Sequence, residues 1–91
     1  MAGEAVDANA VMRRYWNTVV GPRWAAAPEL RERRNRESLE LLVARLGLAG
    51  GESVLEIGCG AGALTLPLAA AVGEHGRVVA VDISEPMLAA A

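Results

Sequence analysis

The chain has 91 residues with nine arginines, no lysine and eleven acids, a net charge of −2, and 53% hydrophobic residues among which there is no Phe, two Trp and one Tyr. That length allows one small domain with an aliphatic core of Leu, Val and Ala. A single cysteine, Cys59, excludes an internal disulfide and a zinc cage of several thiolates, and the absence of any basic run beyond Arg33-Arg34 argues against nucleic acid as a direct partner.

After Asp7, a plausible N-cap, Val11, Met12, Tyr15, Trp16, Val19 and Val20 recur at helical spacing, which predicts an amphipathic helix ended by Gly21-Pro22. A connector with Trp24 leads to Pro28, suited to the first turn of a second helix running to about Leu46. Leu39, Leu42, Val43 and Leu46 are its expected buried stripe, Glu29–Arg33 and Glu32–Arg36 are charge pairs four apart, and Gly47 is the natural C-cap. An apolar stripe at this spacing is normally core, so Tyr15, Trp16 and Trp24 read first as packing residues.

The period then changes. Ser53-Val54-Leu55-Glu56-Ile57 is a short run bounded by glycines, as a buried parallel strand would be. Leu64 to Val72 is apolar nearly all round and predicts a helix packed on the sheet, with Pro67 tolerable only near its start. This is also the longest apolar run, about half the ~20 residues of a membrane span. Gly73-Glu74-His75-Gly76 is a surface turn, Arg77 to Asp82 a second buried strand, and Ser84 the cap of a further helix from Glu85. The chain stops inside that helix, which is how a truncated sequence looks.

The expected fold is α/β: a Rossmann-like doubly wound parallel sheet of which only the first β-α-β unit is present, preceded by two N-terminal helices. Residues 1–50 form the helical segment and residues 51–91 the α/β part. The two halves differ in charge, since residues 1–45 hold eight Arg against six acids and residues 46–91 one Arg against five.

The chemistry concentrates in Glu56-Ile57-Gly58-Cys59-Gly60-Ala61-Gly62, between strand and helix, with Asp82 ending the next strand 24 positions after Gly58. Glycines at such a turn permit positive φ and remove the Cβ that would hold a ligand off the backbone. An acid at the tip of the second strand is placed to accept hydrogen bonds from ribose hydroxyls. Gly58, Gly60 and Ala63 also fit the dinucleotide pattern, so an NAD-dependent oxidoreductase is an alternative. The Glu56 carboxylate opposes a pyrophosphate, however, and suits a ligand bearing an ammonium and a sulfonium. Cys59 reads as a small loop-lining residue rather than a nucleophile, and His75 as a solvated turn residue. A second alternative is a non-catalytic remnant or docking module with an exposed sheet edge.

Val54-Leu55-Glu56-Ile57-Gly58-Cys59-Gly60-Ala61-Gly62 resembles motif I of the class I S-adenosylmethionine-dependent methyltransferases. Leu64 to Ala69 and Val79 to Leu88 are similar to the stretch that follows motif I in small-molecule enzymes, including ubiquinone and menaquinone biosynthesis methyltransferases. Tyr15-Trp16-Asn17 with Gly21 and Trp24 resembles the N-terminal helices that close over the cofactor in some of them. The resemblance implies S-adenosyl-L-methionine as cofactor and a small-molecule methyl acceptor; the charge distribution and the short apolar run leave neither nucleic acid nor membrane as an expected partner. It implies Glu56 at the methionine amino group and Gly58, Cys59, Gly60 and Gly62 in the cofactor loop. Asp82 would hold the ribose, and Ile83 and Met87 would flank adenine. The family's acid after the third strand and its residues after the fourth have no counterpart, so no catalytic base is named. A cytoplasmic chain, inactive alone, is expected.

Overall fold

The computed structural model describes residues 7–91, except for the side chains of Pro28, Leu30, Arg31 and Glu32. Its elements are α1 (Ala10–Thr18), α2 (Val20–Ala25), α3 (Pro28–Leu46), β1 (Ser53–Ile57), α4 (Thr65–Val72), β2 (Arg77–Val81) and α5 (Glu85–Ala90). β1 and β2 pair in parallel, from Ser53 opposite Arg77 to Ile57 opposite Val81. This is the partial Rossmann-like α/β arrangement expected of a strand-helix-strand sequence.

Packing is one-sided. Leu68 and Val72 of α4, each 2% exposed, seal one face of the strand pair, and burying two such side chains contributes roughly 1.5–3 kcal/mol apiece. On the other face Leu55 and Ile57 are 62% and 79% exposed, with Val79 and Val81 above 40%. The strands therefore alternate in burial, where continuous burial was expected, because a single helical layer covers them.

The first expected helical region is split, and Gly21-Pro22 does not end it. The chain bends at Val19, and Gly21 and Pro22 lie inside α2. Pro22 is tolerated there because N–H groups in a first helical turn have no intrahelical partner. Gly21 answers to a tertiary contact: a Cβ on it would stand 1.7 Å from the Trp16 carbonyl oxygen and 2.5 Å from Ser84 Oγ. Asp7 is not the N-cap of α1. That position falls to Asn9, and the Asp7 carboxylate accepts from the Asn9 N–H and pairs with Arg13.

α3 ends as expected, with Gly47 left-handed at φ 62°. Its expected stripe is less buried than predicted. Leu39 and Val43 are half-buried where α3 meets α4, but Leu42 and Leu46 are 44% and 49% exposed. No Glu29–Arg33 ion pair forms among the described residues, and the Glu32–Arg36 pair lies outside them. The Cα radius of gyration, 15.6 Å, exceeds the ~12 Å of a compact domain this size, consistent with helices that reach beyond the small α/β layer.

Candidate functional site

The site lies at the C-terminal ends of the two strands. Gly58 and Cys59 both donate their backbone N–H to the Val81 carbonyl, at 2.8 and 3.0 Å, so the last ladder contact of β2 turns the chain out of β1. Gly58, Gly60 and Gly62 have φ of 78°, 56° and 93°, a region where a side chain is strained. Nothing lies within 4 Å of where a Gly58 Cβ would be, which leaves its backbone open to the cleft, whereas a Gly60 Cβ would stand 3.1 Å from Met87 Cε.

The two carboxylates brace this loop. Asp82 accepts from the Gly60 N–H through Oδ2 and from the Ser84 N–H through Oδ1, both at 2.8 Å. Glu56 accepts through Oε1 from the Thr65 hydroxyl at 2.6 Å, tying β1 to the first residue of α4. Its Oε2 has no partner among the described residues. Burial raises the Cys59 thiol above its ordinary pKa, and the charges of Glu56 and then Asp82 push in the same direction. Both carboxylates thus act on one buried thiol, which is 8% exposed and points to the Gly60 carbonyl at 3.7 Å.

Two recesses meet over the loop. The first, about 540 Å³, is lined by Trp16, Trp24, Ile57, Gly58, Gly60, Val81, Asp82, Ile83 and Met87. The second, about 370 Å³, holds Glu56 and Cys59 together with Asn35, Ser38 and Leu39 of α3. Trp24, Gly58, Gly60 and Met87 line both. Each recess is within the usual range for small-molecule sites, ~300–1,000 Å³. Of the residues singled out in the sequence, Gly58, Gly60, Asp82, Ile83 and Met87 gather in the first recess and Glu56 and Cys59 in the second. Gly62 lines neither. It is buried, and its absent Cβ would face Ala91 and Thr65.

Periodicity did not reveal how the N-terminal helices are attached. Asn17 Nδ2 donates to the Ile83 carbonyl and Asn17 Oδ1 accepts from the Glu85 N–H, each at 2.8 Å. Ser84, fully buried, caps α5 through the Met87 N–H and donates its hydroxyl to the Trp16 carbonyl at 2.8 Å. These bonds hold α1 and α2 against the loop that carries Asp82 and Ile83. They set the edge-to-face pair of Trp16 and Trp24, centroids 5.5 Å apart, on the wall of the first recess. Two of the aromatic residues read as core, Trp16 and Trp24, therefore line the cleft, and Tyr15 and Trp24 are 46% and 36% exposed.

A parallel strand pair with a glycine bend and an acid at the neighbouring tip is the arrangement at which nucleotide-binding α/β folds place their ligands. Residues 54–91 match the family model of the methyltransferase domain. The chain is 48% identical over 54 residues to a 23S rRNA (uracil(1939)-C(5))-methyltransferase of Acinetobacter baylyi, covering 59% of this chain and 12% of that protein. It is 45% identical over 47 residues to a tRNA (adenine(57)-N(1)/adenine(58)-N(1))-methyltransferase of Methanocaldococcus jannaschii, covering 52% and 17%. With a demethylmenaquinone methyltransferase of Shouchella clausii the identity is 47% over 45 residues, covering 50% and 19%. The chain thus spans a fifth or less of the length of these relatives, and no solved structure matches it. Residues 54–91 are thus similar to a methyltransferase domain, and the relatives that the chain matches are methyltransferases. Among the described residues no helix is long and apolar enough to cross a membrane.

Proposed function

We propose that this chain supplies the cofactor-binding part of a methyltransferase, and that the paired recesses take S-adenosylmethionine with its nucleoside toward Asp82 and its amino-acid end toward Glu56. The observation that carries this reading is the placement of two carboxylates on either side of an open glycine backbone. The donor set fits the cofactor. Glu56 Oε2 is free to accept from the ammonium, and each Asp82 oxygen, with one backbone bond apiece, keeps a lone pair for a ribose hydroxyl. Ile83 and Met87 offer apolar surface to adenine. A pyrophosphate would instead face Glu56 across the loop, which disfavours NAD.

The cofactor supplies a methyl group on a sulfonium for in-line displacement, and holding an acceptor aligned with it supplies much of the acceleration. The acceptor proposed here is a small molecule, in line with the acidic α/β half and with the demethylmenaquinone methyltransferase relative. Two of the relatives named above act on RNA, so RNA is the competing acceptor class. Equilibrium dialysis of labelled S-adenosylmethionine against the chain, with NAD in parallel, tests the cofactor. Saturable binding of the sulfonium compound, weakened in Glu56→Gln, is expected, and retention of NAD instead would overturn the reading.

A further inference from the structure

The second recess contains polar groups that the cofactor reading leaves unused. Asn35 and Ser38 are three apart and so share one face of α3, and both line the recess opposite Glu56. Neither side chain has a hydrogen-bond partner among the described residues. Among the described residues no Arg, Lys or His lines this recess. The Gly60 N–H is committed to Asp82, and the Cys59 thiol to the Gly60 carbonyl. The Trp24 indole aside, the side-chain donors left facing the cavity among the described residues are the Asn35 amide and the Ser38 hydroxyl.

An amino-acid zwitterion bound here meets an asymmetric wall. Its ammonium goes to Glu56, and the same charge drives its carboxylate to the opposite side, where α3 stands. We propose that Asn35 and Ser38 bind the α-carboxylate of the cofactor's amino-acid end, an assignment that rests on the S-adenosylmethionine reading above. The Asn35 amide and the Ser38 hydroxyl each donate to one carboxylate oxygen, with no proton exchanged. Among the described residues α3 packs on the α/β layer chiefly along α4, so the ligand itself becomes a further tie that fixes α3 over the loop.

The test compares two thioether nucleosides that differ only beyond the sulfur. S-adenosylhomocysteine carries the amino-acid end, and 5′-methylthioadenosine lacks it. Titration of the whole chain with each compound, for the wild type, Asn35→Ala/Ser38→Ala and Asn35→Asp, separates the possibilities. The double variant is expected to lose about tenfold or more in affinity for S-adenosylhomocysteine, the size of one charge-assisted bond, with no change for 5′-methylthioadenosine. Asn35→Asp keeps the shape and places a like charge at the carboxylate, so its selective loss is expected to be at least as large. Circular dichroism confirms that helix content is retained. Equal losses for both compounds, or no loss for either, would overturn the α3 assignment while leaving the cofactor reading intact. A wild-type chain that binds neither compound would overturn both.

Discussion

Replacing Asp82 by Ala removes more than a ligand contact. The carboxylate holds the Gly60 and Ser84 N–H groups at 2.8 Å each, joining the glycine loop to the start of α5. Hydrogen bonds to a charged group are worth about 1.5–3 kcal/mol, and because Asp82 is only half-buried the lower end applies to each, about 3 kcal/mol together. That is a large part of the ~5–15 kcal/mol that holds a domain together. Asp82→Asn retains one acceptor oxygen but turns its NH₂ toward a donor, so about half of the loss is expected. Hydrogen exchange at the Gly60 and Ser84 amides reads this directly: about two decades faster in Asp82→Ala and about one in Asp82→Asn, since each 1.4 kcal/mol is tenfold. A urea titration followed by Trp fluorescence gives the accompanying shift in midpoint. Unchanged exchange at both amides would refute the bracing role. One corollary is that weaker cofactor binding in Asp82→Ala does not by itself show a ribose contact, because the loop that lies against the nucleoside loosens too.

Three further substitutions or modifications probe separate parts of the structure. Gly21→Ala puts a methyl 1.7 Å from the Trp16 carbonyl oxygen, so α1 and α2 should separate from the Ser84 loop at a cost of about 1–3 kcal/mol, and an unshifted Trp emission spectrum would contradict this. Gly58→Ala meets no neighbour within 4 Å but strains a φ of 78°; it should cost about 1 kcal/mol in stability while obstructing the cleft, and calorimetric affinity equal to wild type would show that ligand does not approach there. The raised pKa of Cys59 means that the folded state holds the thiol proton more tightly than the unfolded chain. Folding stability should therefore decline as pH rises through the thiol range, and iodoacetamide should label the native chain more slowly than the urea-unfolded chain at every pH; equal rates would contradict the burial argument.

Much of the α/β half was readable from the sequence because its signals are local. Gly47 with positive φ, Ser84 as the cap of α5, Pro67 in the first turn of α4 and the two apolar pentads each answer to their immediate neighbours. The glycine loop and its two carboxylates were legible for the same reason, although their mutual role was not. That Asp82 spends both oxygens on backbone N–H groups follows from the bend at Gly60, 22 residues earlier. The N-terminal part was harder to read because distant contacts shape it. The glycine of Gly21-Pro22 looks like a helix terminator in isolation, yet it permits close packing against Trp16 and Ser84. Asn17 sits on what periodicity marks as the solvent face, and its amide bonds groups 66 and 68 residues away. The α3 stripe was predicted from spacing alone, and spacing does not reveal that only Leu39 and Val43 find a neighbour in α4.

An amide chemical-shift titration of the ¹⁵N-labelled chain with S-adenosylhomocysteine tests most directly whether the strand-tip cleft is the cofactor site. Saturable shifts at Gly58, Gly60, Asp82, Ile83 and Met87, absent when NAD is added at the same concentrations, are predicted. Shifts confined to residues remote from the two recesses, or the same pattern evoked by NAD alone, would contradict it.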